Sequence, residues 1–193
     1  MKLVVVNHVS LDGVMQAPGR ADEDARGGFT HGGWATPRSD EVVGRALGER
    51  MSRSSGLLFG RRTYDDVLGH WNRQPDPVFT PALNSATKYV ASRTLREPLP
   101  WPNSVLLEGG VVDAVRALKD QPGEELVVMG SGELVQALLP HALIDEYLLL
   151  IHPILLGSGR RLFPEGISAL TLRLIGSVTA PSGVLAVTYD AGA

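Results

Sequence analysis

Short apolar runs that stop at a glycine or a polar group, each with a helix-like stretch after it, constrain this chain more than any other feature. Residues 3–9 are rich in β-branched side chains and read as a buried first strand. Residues 57–60, 88–91, 105–108 and 126–129 repeat that pattern on a shorter scale. Helical stretches lie between them. In 37–53, Val43, Leu47 and Met51 recur every four residues and make one apolar stripe, with Pro37 suited to a first turn. A second helix starts at Thr63, a third covers 111–119, and a fourth covers 133–139 and stops at Pro140. Strands alternating with helices pair in parallel, with helices covering the sheet faces. The tail departs from this rule: 147–156 is a long apolar run, while 170–178 and 184–189 flank a turn at 180–183. That predicts an antiparallel hairpin at one edge. The expected fold is α/β, one domain over 1–193, with a mixed, mostly parallel sheet.

Composition removes several functions. The 193 residues carry 18 Lys+Arg against 21 Asp+Glu, a formal charge of −3. Gripping nucleic acid needs clustered cations, so a general nucleic-acid partner is not expected. Cys is absent, which excludes disulfides, thiolate nucleophiles and thiolate metal sites. The five His show no metal-ligand spacing, so no metal is expected. There is no GxSxG elbow of the hydrolase kind. No run approaches the roughly 18 apolar residues of a membrane span, and the N-terminus turns polar too soon for a signal peptide. A cytoplasmic protein without a membrane partner is the expectation.

Candidate chemistry gathers at the strand ends, where open α/β sheets bind ligands. The first strand leads into Asn7-His8-Val9-Ser10-Leu11-Asp12-Gly13, and Asp12 reads either as a substrate-facing proton carrier or as a turn carboxylate. Residues 13–36 form a long Gly- and charge-rich loop, of a length usual for lids and binding loops. The second strand ends in Gly60-Arg61-Arg62-Thr63, in which Thr63 can cap a helix and the arginines can meet phosphate. Ser92 and Arg93 follow the third strand. Gly130-Ser131-Gly132-Glu133-Leu134 joins the fifth strand to a helix, and its glycines allow a phosphate close to the backbone. That turn lacks the third Gly of a dinucleotide fingerprint and the Lys of a P-loop. Gly157-Ser158-Gly159-Arg160-Arg161 has no clear helix after it and reads as a loop.

Taken in order, SLDGVM (10–15), GRRTY (60–64), SRTL (92–95) and MGSGELVQALL (129–139) resemble the dihydrofolate reductase fold, a three-layer α/β/α architecture. HPILLGSGRRLF (152–163) is similar to the branch holding the reductase domain of the riboflavin-biosynthesis deaminase–reductase. The resemblance implies NADPH as cofactor. It places Gly60, Arg61, Arg62 and Thr63 at the cofactor's phosphates and adenosine end, and Ser92 and Arg93 beside its 2′-phosphate. Gly130, Ser131, Gly132, Glu133 and Leu134 fall at the pyrophosphate, and His8 and Met15 at the nicotinamide. His8 is expected to act mainly through its backbone. The loop 13–36 is similar to the family's active-site loop.

One difference from dihydrofolate reductases is visible: near Gly44 the first helix carries no acid to grip a pteridine, and Asp40 and Glu41 lie about one turn earlier. The function implied is an NADPH-dependent oxidoreductase that moves a hydride to a small C=O or C=N substrate, a ribosylamino-pyrimidine or a pterin-like ring. Asp12 is the expected substrate-facing group, and Trp34 a stacking wall if the loop folds inward or a loop anchor if it does not. The alternatives are a nucleotide sensor without turnover and a structural dimer module. A homodimer is expected, with the run 147–156 pairing with the same strand of a second subunit and the resemblance pointing the same way; the opposing reading makes that run a central strand buried on both faces.

Overall fold

The computed structural model describes residues 1–192. Its strands, in chain order, are β1 (Lys2–Ser10), β2 (Ser54–Gly60), β3 (Lys88–Ala91), β4 (Ser104–Leu106), β5 (Glu125–Met129), β6 (Glu146–His152), β7 (Arg173–Thr179) and β8 (Leu185–Asp190). The helices are α1 (Glu41–Ser52), α2 (Arg61–Arg73), α3 (Phe79–Ser85), α4 (Val111–Lys119) and α5 (Gly132–Leu138). The eight strands form one sheet in the order β4-β3-β2-β5-β1-β6-β8-β7. The first six are parallel, and β8 and β7 add the antiparallel hairpin.

The period-2 alternation of β1 divides the core between the two faces. Leu3, Val5 and Val9 pack with Leu58, Val128 and Leu149 under Val115 and Leu118 of α4 and Val135 and Leu138 of α5. Val4 and Val6 face the other way, onto Leu57, Phe59, Val127 and Leu148, under Tyr64 and Leu68 of α2 and Leu83 of α3. Leu47 and Met51 of α1 cover that second face, while Val43 reaches Leu150 and Ala186. Helices on both faces of a mixed sheet are the three-layer α/β/α architecture that the sequence implies.

Local differences have physical causes. The first helix begins at Glu41 because Asp40 caps it, accepting a hydrogen bond from Val43 N at 3.0 Å; Pro37 lies in a separate 3₁₀ turn, Thr36–Arg38. α2 begins at Arg61, so Thr63 lies inside the helix and does not cap it. The run 147–156 is the central strand β6 followed by a loop, with β1 on one side and β8 on the other. Both its edges are paired, so it cannot join a second subunit. The sheet's edges are β4 and β7, and every residue of β7 is exposed.

Candidate active site

Parallel strands bring their C-terminal ends, and the starts of the helices that follow, to one rim of the sheet. There the turns after β2 and β5 are fastened together. Ser131 sits at a left-handed φ of 55° and its hydroxyl accepts from Gly60 N at 2.9 Å while donating to Met129 O at 3.1 Å. Ser131 N in turn donates to Thr63 Oγ1 at 3.2 Å, which is what the threonine hydroxyl does instead of capping its own helix. Gly130 N donates to Val6 O at 3.1 Å, and Asn7 Nδ2 to Gly130 O at 3.0 Å, so the glycine turn is also tied to β1. Leu134 belongs to the core and not to the ligand-facing turn: its side chain is buried against the sheet and its N–H donates to Ser131 O at 2.9 Å. The amides of Gly132 and Glu133 head the helix with no such partner among the described residues. Gly132 has a steric reason as well, since a Cβ there would lie 2.3 Å from Met15 Sδ. Met15 is thereby brought directly onto the glycine turn.

Charge gathers beside this turn. Glu133 Oε1 accepts from Arg26 at 2.9 Å, Arg62 at 2.8 Å and Arg160 at 3.2 Å. Arg26 also pairs with Asp24. The Arg26 hydrogen bond is the leading reason why Glu133 and Asp24 both lie below the usual carboxylate range. Three guanidiniums against two carboxylates leave a net charge of +1. A cavity of about 310 Å³ opens between Gln16, Arg26 and Gly28 on one side and Ser158 and Arg160 on the other. Arg26 and Arg160 were not singled out by the sequence. The GSGRR stretch was the available signal for Arg160, and its loop reading concealed that the loop returns to α5.

Farther along the rim, Arg61 donates to Thr94 Oγ1 at 2.6 Å and to Asp65 at 3.3 Å. Ser92 Oγ accepts from Thr94 N and Leu95 N, which fixes that loop. Arg93 is exposed and has no ion pair among the described residues. Arg61, Ser92 and Thr94 therefore meet, whereas Arg62 reaches across to pair with Glu133 at the surface.

The β1 end differs most from expectation. Asp12 accepts from Ser10 Oγ at 2.6 Å, Leu156 N at 3.1 Å and Gly157 N at 2.8 Å. The Ser10 hydroxyl, helped by these amides, pushes its carboxyl down to about 2. A carboxylate that accepts from these three donors braces the loop after β6, as the turn-carboxylate reading expects. Trp34 is an anchor and not a stacking wall. Its indole donates to Gln16 O at 2.7 Å, and it packs with Val14, Ala17, Phe29 and Ala35 in a core of the loop's own. The same loop is pinned by Met15 N donating to Arg160 O and Arg160 N donating to Gln16 Oε1, both at 2.9 Å. Asp40 and Glu41 are likewise occupied, Asp40 by capping α1 and by Ser182 N, and Glu41 by Arg45. His152, one of the five histidines without metal-ligand spacing, stands against His8, with its Nε2 2.9 Å from His8 Nδ1.

A family model described as the RibD C-terminal domain matches residues 1–186. "Uncharacterized protein YyaP" of Bacillus subtilis (strain 168) is 30% identical over 144 residues, 72% of this chain and 75% of its own. "Uncharacterized protein YwjB" of the same organism is 37% identical over 121 residues, 63% of this chain and 65% of its own. Among solved structures, a "Putative riboflavin biosynthesis protein" from Shewanella sp. PV-4 is similar over the whole of both chains, with a TM-score of 0.71 at 26% identity. A "pyrimidine reductase-like protein" from Corynebacterium diphtheriae NCTC shares the fold, with a TM-score of 0.63 at 11% identity over 98% of this chain and 91% of that one.

Proposed function

The chain belongs to the RibD C-terminal domain family, and from that premise we propose that it is an NADPH-dependent reductase that delivers a hydride to the C=O or C=N bond of a small heterocycle, a ribosylamino-pyrimidine or a pterin-like ring. Spatial order carries the reading. Ser92 and Arg93 follow β3, Gly60 to Thr63 follow β2, the 130–134 turn follows β5, and His8 and Met15 belong to the end of β1 and its loop. β3, β2, β5 and β1 are four successive neighbours in the sheet. Three steps of about 4.8 Å span roughly 14 Å. One elongated ligand across these ends meets hydroxyls and guanidiniums first, the glycine turn in the middle and His8 last.

The residues fit such a ligand. Arg61, Arg93, Ser92 and Thr94 are a donor set for a phosphomonoester. The unpaired amides of Gly132 and Glu133 and the net-positive arginine cluster suit a diphosphate. When bound, NADPH supplies the hydride. The chain orients it and keeps water from the reacting centre, Met15 as an apolar wall and the packed loop around Trp34 as a cover. Substrate grip by an acid on α1 is not part of the reading, because Asp40 and Glu41 are otherwise engaged. A homodimer belongs to the proposal through β7, where Leu174, Ile175 and Val178 are exposed along an unpaired edge. Open apolar edges call for cover, and a second copy related by a two-fold axis supplies it.

The test combines binding and turnover. NADPH raises the melting temperature, because a ligand of the native state stabilises it. Nicotinamide absorbance then falls with one member of a panel of pterins and pyrimidines. Arg61→Ala weakens NADPH by roughly 1.5–3 kcal/mol, about ten- to a hundredfold; an unchanged dissociation constant removes Arg61 from the site. Binding without consumption across the panel favours a sensor. No thermal shift at millimolar NADPH favours a structural module.

A further inference from the structure

His8 and His152 lie on neighbouring parallel strands, and both point to the face covered by α1 and α2, as Val4, Val6 and Leu148 do. Their rings are 5.1 Å apart, tilted by 39°, with Nδ1 of His8 2.9 Å from Nε2 of His152. His152 is fully buried, and the Trp34 ring packs against it in a T-shaped arrangement with centroids 5.2 Å apart. Its Nδ1 has no hydrogen-bond partner among the described residues. His8 is half-buried and its Nε2 bonds to nothing in the described chain.

This arrangement selects a tautomer. If His8 donated to His152, the remaining proton of His152 would sit on Nδ1 as an orphaned buried N–H, which costs about 1–3 kcal/mol. If His152 donates from Nε2, its Nδ1 is only a bare lone pair. His8 then accepts at Nδ1 and must carry its own proton on Nε2. Both rings are neutral near pH 7. Burial first, then the facing ring, lowers His8 to about 4, and burial first, then the Arg38 guanidinium, does the same for His152. Among the described residues no carboxylate hydrogen-bonds to either ring; the hydroxyl of Ser10, which lies opposite His152 in the register, donates to Asp12.

Resting on the reductase reading, we propose that His8 is the catalytic hydrogen-bond donor, its Nε2–H addressed to the heteroatom of the C=O or C=N bond, and that His152 is the positioning residue that holds it in that tautomer. As hydride adds to the carbon, the π pair moves to the heteroatom, which the neutral imidazole N–H stabilises without giving up its proton. The dihydronicotinamide is oxidised, the C=O or C=N bond is reduced, and the proton that completes the product comes from water.

The first test needs no ligand. Long-range ¹H–¹⁵N spectra of histidine-labelled protein at pH 7 are expected to show both rings neutral and protonated on Nε2. A proton on His152 Nδ1, or a cationic ring, overturns the proposal. The second test uses NADPH with whichever panel member the wild type reduces, 7,8-dihydropterin first. His8→Phe is expected to lower kcat by about 100-fold or more, with the NADPH dissociation constant within about twofold, and His8→Gln, which keeps an N–H, to recover much of the loss. His152→Leu should lower kcat at least about tenfold, as a lost tautomer does, and His152→Gln, which still donates to His8, should restore it. Turnover equal to wild type in His8→Phe overturns this inference alone. A wild type that binds no NADPH, or reduces no panel member, overturns the reductase reading together with it.

Discussion

Ser131→Ala is the sharpest perturbation of the proposed cofactor rim. The Ser131 side chain is almost fully buried and its hydroxyl is the one group that accepts Gly60 N while donating to Met129 O. Removing it strands the half-buried Gly60 amide, which costs about 1–3 kcal/mol, and loses an ordinary hydrogen bond worth about 0.5–1.5 kcal/mol in addition. A loss near 2 kcal/mol corresponds to roughly 4–8 °C in Tm for a chain of this size. Ser131→Gly provides an internal control. It loses the same bonds but relieves the left-handed backbone, a difference of about 1 kcal/mol in its favour. Stability should fall in the order wild type, Ser131→Gly, Ser131→Ala in urea and thermal denaturation. Both variants should weaken NADPH, because the turn after β5 is no longer held to the turn after β2. A Tm within 1 °C of wild type, or Ala more stable than Gly, would refute the idea that this hydroxyl locks the rim.

Glu133→Gln raises the net charge of the arginine cluster from +1 to +2, so NADPH should bind more tightly at low salt and the gain should shrink at high salt. Stability should change by less than about 1 kcal/mol, because the cluster's ion pairs are largely exposed; weaker binding at every salt concentration would contradict the charge argument. Acid stability should report the histidine pair. Folded His8 and His152 titrate near 4 against 6.5 unfolded, so the unfolded chain binds more protons between those values. Stability is intact above pH 6.5 and falls as pH drops through the window towards 4, by up to roughly 2–3 kcal/mol per pH unit. Urea midpoints should show a shallower slope in His8→Phe, and identical slopes would refute it. Light scattering should give twice the mass of one chain, and Ile175→Lys with Val178→Lys should return it to one. A wild-type mass of one chain would remove the β7 interface.

Much of the fold is legible because strand ends are local features. A β-branched run ending in glycine names its own boundary, and β2, β3 and β5 fall within a few residues of their expected positions. The cofactor rim is legible for the same reason, since each of its segments is contiguous in sequence. What escaped requires register. α3 has no apolar period, since it is one short turn-rich segment held by Asp76, whose carboxylate accepts from Val78 N and Phe79 N. Asp12 looks reactive in isolation, and only the return of the chain at Leu156 and Gly157 shows that its oxygens are occupied. Trp34 likewise lacks a visible partner until Gln16 folds back beneath it.

The histidine pair is the extreme case. His8 and His152 are 144 residues apart, and neither has a neighbour in sequence that marks it as reactive. They meet because β6 lies parallel to β1 with Ser10 opposite His152, two residues along from His8. Slipping β6 by one residue would turn His152 to the opposite face of the sheet. The same parallel register also sets Glu146 opposite Val4 at the other end of the strand, where Arg50 donates to Glu146 at 3.0 Å and to Glu125 at 2.8 Å. Breaking a buried charge pair costs about 3–5 kcal/mol, so slippage is penalised at the end of the sheet remote from the chemistry. Arg50→Met should therefore loosen the histidine geometry without touching it. The expected sign is a change in the His152 imidazole resonances while those of exposed His31 stay in place, and spectra identical to wild type would show that the strand register is held by the apolar core alone.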